Sequence, residues 1–189
     1  MIRQYPWDVL DSNAWLIVEG DGGLLFDPVD SQALYTAVEG LDSLTVILTH
    51  CHFDHICGLN RLRELKPQAR VIATAACSER IQRPAGNLSN IADALMFFRD
   101  PDAREGKKVS PFACAPADTV FSGETRFQWR GHDVALSEYH GHVAGSLCCA
   151  LDGVHLFTGD TLLPLPTVTR LPGGSTRRFG TRTCPDWKP

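Results

Sequence analysis

The six residues from His50 to His55 restrict the fold and function of this chain more than any other stretch. His50, His52 and His55 supply three imidazoles and Asp54 supplies a carboxylate. Neutral imidazole and carboxylate are ligands that suit Zn²⁺, and also Fe or Mn. The stretch therefore predicts a metal site, in preference to a loop of solvated histidines.

The residues around this motif predict how its side chains are arranged. Leu44 to Thr49 are apolar or β-branched, which predicts a buried strand. If the chain stays extended just beyond it, His50 and His52 point to the same side. Cys51 then points away from them and is interpreted as a small buried residue, with a role as ligand as the alternative. The carboxylate and third imidazole follow where the chain turns into a helix, so the two pairs can hold two neighbouring metals.

The pattern His-x-His-x-Asp-His after an apolar strand resembles the signature of the metallo-β-lactamase superfamily. Two later segments, Gly141 to Ser146 and Leu156 to Leu162, resemble the second and third motifs of that family, in the same order. The resemblance covers most of the chain, from about Asn13 to about Gly174. It implies the α/β fold of the family, a four-layer αβ/βα sandwich with the metals at one edge between two sheets.

The resemblance also assigns metal ligands. It implies that His50, His52 and His142 hold one metal. It also implies that Asp54 and His55 hold the other, with Asp160 between the two metals. His140 is a rival to His142, although the Gly-His-x-x-Gly-Ser pattern favours His142. Asp27 either supports the metal site from behind or is only a turn residue before Pro28.

These ligands predict a hydrolase with one or two zinc ions per chain. A zinc-bound water has its pKa lowered from about 16 to about 7, so hydroxide is available at neutral pH. Asp54 is expected to orient that hydroxide and take its proton. The substrate class is a small molecule with an ester, thioester, lactone, amide or phosphoester bond. Asp160, in place of Cys, resembles the glyoxalase II-like and general hydrolase branches more than the antibiotic-cleaving enzymes.

The C-terminal end departs from the family pattern. A further His usually follows the bridging Asp, and this chain has none after His155. Residues 170–189 contain five Lys or Arg and one acid. We therefore expect an incomplete domain over residues 1–174, without the last strand and helix, and an irregular basic tail over 175–189. A truncation, or a shift of reading frame near Phe179, would produce such an end.

Other functions are less favoured. A catalytically weak product that binds one metal or none is the first alternative, motivated by the absent His. A di-iron oxidoreductase is the second, although no flavin-domain sequence follows. The net charge of −4 argues against nucleic-acid binding, and no apolar run approaches the roughly 20 residues of a membrane span. Seven scattered cysteines without an export signal predict reduced thiols and a cytoplasmic protein.

The rest of the chain alternates predicted strands and helices. Ser31 is predicted to cap a helix over 32–39, and one continuous helix is predicted over 56–66. Another helix is predicted over 91–98, in which Met96, Phe97 and Phe98 either line a substrate pocket or form a buried face. Specificity is expected in the loops over 87–108 and 164–174, where Arg170 either meets an anionic substrate group or is solvated.

Two histidines outside the motifs receive separate predictions. His132 lies beside a turn glycine and is expected to be solvated. His155 lies in a predicted strand and is expected to be structural. Asp152-Gly153, between apolar runs, predicts a hairpin turn.

Overall fold

Two β-sheets form the centre of the molecule in the computed structural model, which describes residues 1–99, 108–163 and 167–180. The strands of the first sheet lie side by side in chain order: β1 (Ile2–Pro6), β2 (Asn13–Glu19), β3 (Gly22–Phe26), β4 (Ser43–Ile47), β5 (Arg70–Thr74) and β6 (Thr119–Phe121). Neighbours from β1 to β3 pair antiparallel, and neighbours from β3 to β6 pair parallel. The parallel pairs require crossover connections, and the helices supply them.

The second sheet is antiparallel throughout. Its strands lie in the order β10, β9, β8, β7: β7 (Glu124–Trp129), β8 (His132–Tyr139), β9 (Ser146–Leu151) and β10 (His155–Phe157). Asp152 and Gly153 both have positive φ, 54° and 65°, in the turn between β9 and β10. The predicted Asp-Gly hairpin is therefore present.

Short helices surround the sheets. They are α1 (Gln32–Glu39), α2 (Phe53–Ile56), α3 (Leu59–Leu65), α4 (Ala75–Ile81), α5 (Pro84–Asn87), α6 (Ala92–Arg99) and α7 (Thr176–Arg178). As predicted, the Ser31 hydroxyl caps α1, because it accepts a hydrogen bond from the Leu34 amide at 3.4 Å. Within the part of the chain that the structure describes, no helix has the length and apolar character to cross a membrane.

Two apolar layers hold the elements together. Leu16, Leu25 and Val46 on one face of the first sheet pack with buried residues of α1, α3 and α4. Phe26 and Ile72 on the other face pack against the second sheet. One contact between the sheets is the stacking of the Phe26 and Phe157 rings, with 3.9 Å between centroids. This helix-on-sheet-on-sheet order corresponds to three of the four layers of the predicted αβ/βα sandwich.

The predicted helix over 56–66 is present only from Leu59 to Leu65. The chain forms two helices, α2 and α3, with a break at Cys57 and Gly58. The Gly58 amide donates to the Pro28 carbonyl at 2.9 Å, and a Cβ atom at Gly58 would collide with the Val29 carbonyl oxygen. The close approach of another backbone segment therefore interrupts the helix. Leu65, predicted on the buried face, is 37% exposed.

Met96, Phe97 and Phe98 of α6 do not share one environment. Met96 is buried beside Val9 and Phe53, whereas Phe98 is 82% exposed and Phe97 is also exposed. The buried-face interpretation is therefore right for Met96 and wrong for both phenylalanines. Part of the predicted specificity loop, residues 100–107, lies outside the described residues.

The second half of the predicted tail also lies outside them, from 181 to 189. Ser175 contacts the second motif, because its amide donates to the Gly141 carbonyl at 2.7 Å. Its hydroxyl caps α7, and Phe179 is buried. Among the described residues after β10, α7 is the one α-helix and there is no strand.

Candidate metal centre

The candidate metal ligands, together with Asp27, come from four chain segments that meet at one edge of the two sheets. Asp27 follows β3, the motif from His50 to His55 follows β4, His142 precedes β9 and Asp160 follows β10. The Leu147 amide of β9 donates to the Thr49 carbonyl at 2.7 Å, which joins the motif to the second sheet. The site thus lies at the carboxyl ends of β3, β4 and β10, at the predicted edge.

Three imidazoles form the first group of candidate ligands. His50, His52 and His142 are buried, and one ring nitrogen of each lies within 4.8 Å of the others. Nδ1 of His52 lies 2.9 Å from Nε2 of His142. His140, the rival ligand, instead has its Nε2 3.8 Å from Glu138 Oε1. The structure therefore brings His142 into the cluster and keeps His140 out of it.

Hydrogen bonds on the outer side of two rings set which nitrogen carries the proton. His142 Nδ1 lies 2.7 Å from the Val168 carbonyl oxygen, which can only accept. The Thr49 hydroxyl donates to Asp27 Oδ2 at 2.5 Å, so it accepts from His50 Nδ1 at 3.1 Å. Both rings therefore direct an Nε2 lone pair into the cluster. Nε2 of His50 is buried there with no hydrogen-bond partner among the described residues.

Asp54, His55 and Asp160 form the second group. His55 Nδ1 donates to Asp27 Oδ2 at 3.0 Å, which leaves Nε2 facing the other two side chains. Nε2 lies 3.2 Å from Asp160 Oδ1 and 3.5 Å from Asp54 Oδ2. The second oxygen of Asp160, Oδ2, lies 3.4 Å from His142 Nε2. Asp160 thus presents one carboxylate oxygen to each group, as expected of a side chain between two metals.

The electrostatics of the cluster fit a bound cation. Burial lowers the pKa values of His50 and His52 well below their usual range, so both rings are neutral, the form that binds metal. Burial also disfavours a charged His55, yet the carboxylates of Asp160 and Asp54 raise its pKa well above the usual value. A positive charge is therefore favoured between these three side chains. Nitrogen and carboxylate donors in this number suit Zn, Fe or Mn.

Asp27 lies behind the cluster. One of its oxygens accepts from the Thr49 amide at 2.7 Å, and the other accepts from the Thr49 hydroxyl and from His55 Nδ1. Although Asp27 lies close enough to His50 and His55 to be grouped with them, its lone pairs already serve these donors. Of the two interpretations left open by the sequence, the structure favours the supporting role.

Sequence reasoning did not single out three residues of the site. Ser12 is buried and its Oγ donates to Asp54 Oδ2 at 2.5 Å, although no motif marks it. Thr49 contacts both Asp27 and His50. Its position directly before the motif is the signal that could have identified it. Gly159 has φ of 47°, and a Cβ atom there would collide with the Thr49 hydroxyl, so this position requires glycine. The Thr-Gly-Asp pattern that ends at Asp160 is the signal that could have identified it.

The other residues considered from the sequence lie outside the cluster. Cys51 points away from the imidazoles as predicted, with its Sγ 3.3 Å from Arg80 Nε. Arg170 is exposed. His132, predicted to be solvated, instead has Nδ1 2.7 Å from Asp152 Oδ2, and its ring stacks on Trp129. His155 is an exposed residue of β10.

Comparisons with known proteins agree with this geometry. A probable metallo-hydrolase of Bacillus subtilis, YqgX, is 37% identical over 65 residues, which are 33% of this chain and 31% of that protein. A hydroxyacylglutathione hydrolase of Acidiphilium cryptum is 32% identical over 123 residues, 59% of this chain and 50% of the relative. The matched segments thus span half or less of these two curated relatives.

Solved structures share the same fold. The crystal structure of BLEG-1 B3 metallo-β-lactamase superposes with a TM-score of 0.76 at 26% identity, covering 95% of this chain and 81% of that one. The sequence model of the metallo-β-lactamase superfamily matches residues 7–182. This match covers nearly the whole chain and includes the three motifs whose side chains converge at the sheet edge. The chain therefore belongs to the metallo-β-lactamase superfamily.

Proposed function

We propose that this chain is a metal-dependent hydrolase of small molecules, and that thioesters are its preferred substrate class. One observation carries the proposal: Asp160 joins two groups of buried ligands by presenting one oxygen to each. The thioester assignment is supported by the relatives named hydroxyacylglutathione hydrolase, because a hydroxyacylglutathione is a thioester.

Six side chains would hold the metals, three imidazoles at the first position, two side chains at the second and one between them: His50, His52, His142, Asp54, His55 and Asp160. When bound, zinc ions lower the pKa of a water molecule and polarise the carbonyl or phosphoryl oxygen of a substrate. Iron or manganese would suit the same donors.

The residues of the chain contribute orientation and proton transfer. Asp54 is the expected catalytic residue, which orients the attacking water and accepts its proton at a carboxylate oxygen. Burial raises the pKa of Asp54, which makes its carboxylate a stronger base. His55 Nδ1 is held by Asp27, so the ring presents Nε2 to Asp54 and Asp160.

A substrate would approach from the side of Asp160. The Asp160 side chain is 25% exposed, whereas the other five candidate ligands are buried. Leu162 and Val168 are exposed near it in the chain, and the Val168 carbonyl contacts His142. An apolar rim of this kind favours an acyl group, and Arg170 is the candidate contact for an anionic part of the substrate.

The test combines metal content with a panel of substrates. Elemental analysis of the dialysed protein is expected to give up to two metal ions per chain. Hydrolysis would be followed with a hydroxyacylglutathione, an oxygen ester, a lactone, a phosphodiester and a β-lactam. Faster turnover of the thioester supports the proposal, faster turnover of the β-lactam would point to the activity in the name of BLEG-1, and a metal-loaded protein inert on all five would overturn it.

A matched pair of variants tests the site itself. His142→Ala is expected to lose metal and activity, because Nε2 of His142 lies in the cluster. His140→Ala is expected to keep both, because His140 faces Glu138 instead. Equal losses from the two variants would contradict the assignment. Visible absorption of the purified protein distinguishes iron from zinc and thereby tests the di-iron oxidoreductase.

A further inference from the structure

Ser12 makes a direct contact with a candidate ligand although it belongs to none of the three motifs. Its side-chain Oγ donates to Asp54 Oδ2 at 2.5 Å, and the serine is only 5% exposed. The next side chain near that oxygen, His55, is farther away, with Nε2 at 3.5 Å. A hydrogen bond to a charged oxygen is shorter and stronger than one between neutral groups. Ser12 is therefore the side chain that fixes this end of the carboxylate.

The loop that carries Ser12 is held in an uncommon conformation. Leu10 and Asp11 both have positive φ, 58° and 59°, which costs energy for residues other than glycine. The loop closes on itself, because the Trp7 amide donates to the Ser12 carbonyl at 2.8 Å. Such a conformation persists only where the surrounding structure enforces it. Here it places the Ser12 hydroxyl within hydrogen-bonding distance of Asp54.

The same loop is anchored on both sides of the serine. Val9 is buried in a cluster with Phe53, the residue just before Asp54. On the other side of the serine, the side-chain Nδ2 of Asn13 donates to the Asp11 carbonyl at 2.8 Å and closes the turn around Ser12. The hydroxyl and the carboxylate therefore belong to two segments that are packed together. Their contact is built into the fold and does not depend on a mobile surface side chain.

We propose that Ser12 is a positioning residue that orients the Asp54 carboxylate and thereby sets the affinity of the second metal position. This inference rests on the proposed function, since it requires that Asp54 hold a metal. Ser12 Oγ lies 2.5 Å from Oδ2, whereas His55 Nε2 lies 3.5 Å from the same oxygen. Without the hydroxyl, the carboxylate can rotate toward His55 and lose the orientation that a second ion requires. The first position, formed by three imidazoles, contains no group that Ser12 contacts in the described residues.

The test is a zinc titration of Ser12→Ala against a competing chelator, which separates a tight from a weak position. Removal of a residue that supports a ligand typically weakens metal binding about 10- to 100-fold. We expect that loss at the weaker position only, with the tighter position unchanged. Ser12→Thr keeps a hydroxyl and is expected to bind zinc as the wild type does. A loss in Ser12→Thr as large as in Ser12→Ala would count against the inference.

Ser89→Ala is the matched control. Ser89 is also buried, and its hydroxyl accepts from the Phe112 amide at 3.0 Å, away from the cluster. If both alanine variants weaken zinc binding equally, a general loosening is responsible and the inference is overturned. Two unchanged zinc affinities in Ser12→Ala would overturn it as well. A wild-type protein that binds no zinc, iron or manganese would instead reject the proposed function.

Discussion

Asp27 Oδ2 lies 3.0 Å from His55 Nδ1, and this contact decides which nitrogen of His55 faces the other ligands. A carboxylate can only accept, so Nδ1 carries a proton and Nε2 is the nitrogen that can bind a cation, either a metal ion or a second proton. The same carboxylate accepts from the Thr49 hydroxyl, which in turn orients His50. One buried side chain therefore fixes an imidazole in each of the two groups.

Asp27→Asn is expected to weaken metal binding at both positions. The amide keeps the shape of the side chain, and asparagine tolerates the positive φ of 51° at this position. It offers one acceptor oxygen where the carboxylate offers two. Its NH2 group would therefore face either the Thr49 amide, or the Thr49 hydroxyl and His55 Nδ1, and none of these donors could be satisfied by it. We expect a loss of about 10- to 100-fold in metal affinity, measured by competition with a chelator. Asp30→Asn, which alters a contact with Tyr35 outside the cluster, is the control, and an equal loss there would refute the explanation.

Gly58→Ala is expected to destabilise the fold. A Cβ atom at this position would collide with the carbonyl of Val29, so the break between α2 and α3 would have to move. Overpacking of this kind costs about 1–3 kcal/mol, which urea unfolding can measure. Gly40→Ala is the matched control, because nothing lies within 4 Å of a Cβ atom there. If both variants unfold at the same urea concentration, close packing at Gly58 is not the cause of the helix break.

The architecture and the six candidate ligands were predicted from the resemblance of three local motifs to the metallo-β-lactamase superfamily. The structure brings these six side chains together at one sheet edge, and their role as metal ligands stays a prediction. The capping of α1 by Ser31 and the Asp-Gly hairpin were predicted because they too depend on local sequence. The break at Gly58 was not predicted, since it depends on Pro28 and Val29, which are remote in the chain. The contact of Ser12 with Asp54 spans 42 positions and likewise has no local signature.

Long-range packing also determined the outcomes for single side chains. Phe97 and Phe98 fit an apolar helix face in sequence, but the side of α6 that reaches the core carries Ala92 and Met96. His132 was expected to be solvated because it follows a turn glycine. The turn between β9 and β10 of the same sheet places Asp152 beside His132, and no local sequence pattern predicts this contact.

Arg80→Ala is expected to increase the reactivity of the Cys51 thiol. Burial raises the pKa of Cys51, and the Arg80 guanidinium against the sulfur offsets part of that rise, so loss of Arg80 makes the thiol less acidic. Access limits the reactivity of this fully buried thiol more than acidity does. The Arg80 side chain lies over the sulfur and also donates to the Pro172 carbonyl at 2.8 Å. Removal of that side chain opens a path to the sulfur. Alkylation followed by mass spectrometry should show faster labelling of Cys51 in the folded variant than in the wild type. The control is Arg83→Ala, whose exposed guanidinium contacts Glu79, and faster labelling there would contradict the prediction.

Asp152 is expected to make the stability of the second sheet dependent on pH. A hydrogen bond from His132 and one from the Asp133 amide lower the pKa of Asp152 below its ordinary value of about 3.8. A carboxyl with a depressed pKa stabilises the fold above that ordinary value, and the contribution is lost as the pH falls through the lowered pKa. Asp152→Asn should therefore be less stable than the wild type at pH 7, with the difference shrinking below about pH 4. Urea unfolding across this range tests the sign, and a difference that grows on acidification would contradict it.

Removal of metal is expected to lower the stability of the folded chain. Without a cation, the lone pair of His55 Nε2 faces the oxygens of Asp54 and Asp160 at 3.5 and 3.2 Å, unless a proton takes the place of the ion. A ligand that binds only the folded state stabilises it by about 2.7 kcal/mol at a concentration of 100 times its Kd. Urea unfolding with excess zinc should therefore give a higher midpoint than unfolding after chelation. His52→Ala should lose this zinc-dependent rise of the midpoint. His155→Ala should retain it, because His155 is an exposed residue of β10 outside the cluster. A midpoint that does not respond to zinc in the wild type would show that the cluster holds no zinc in the folded chain.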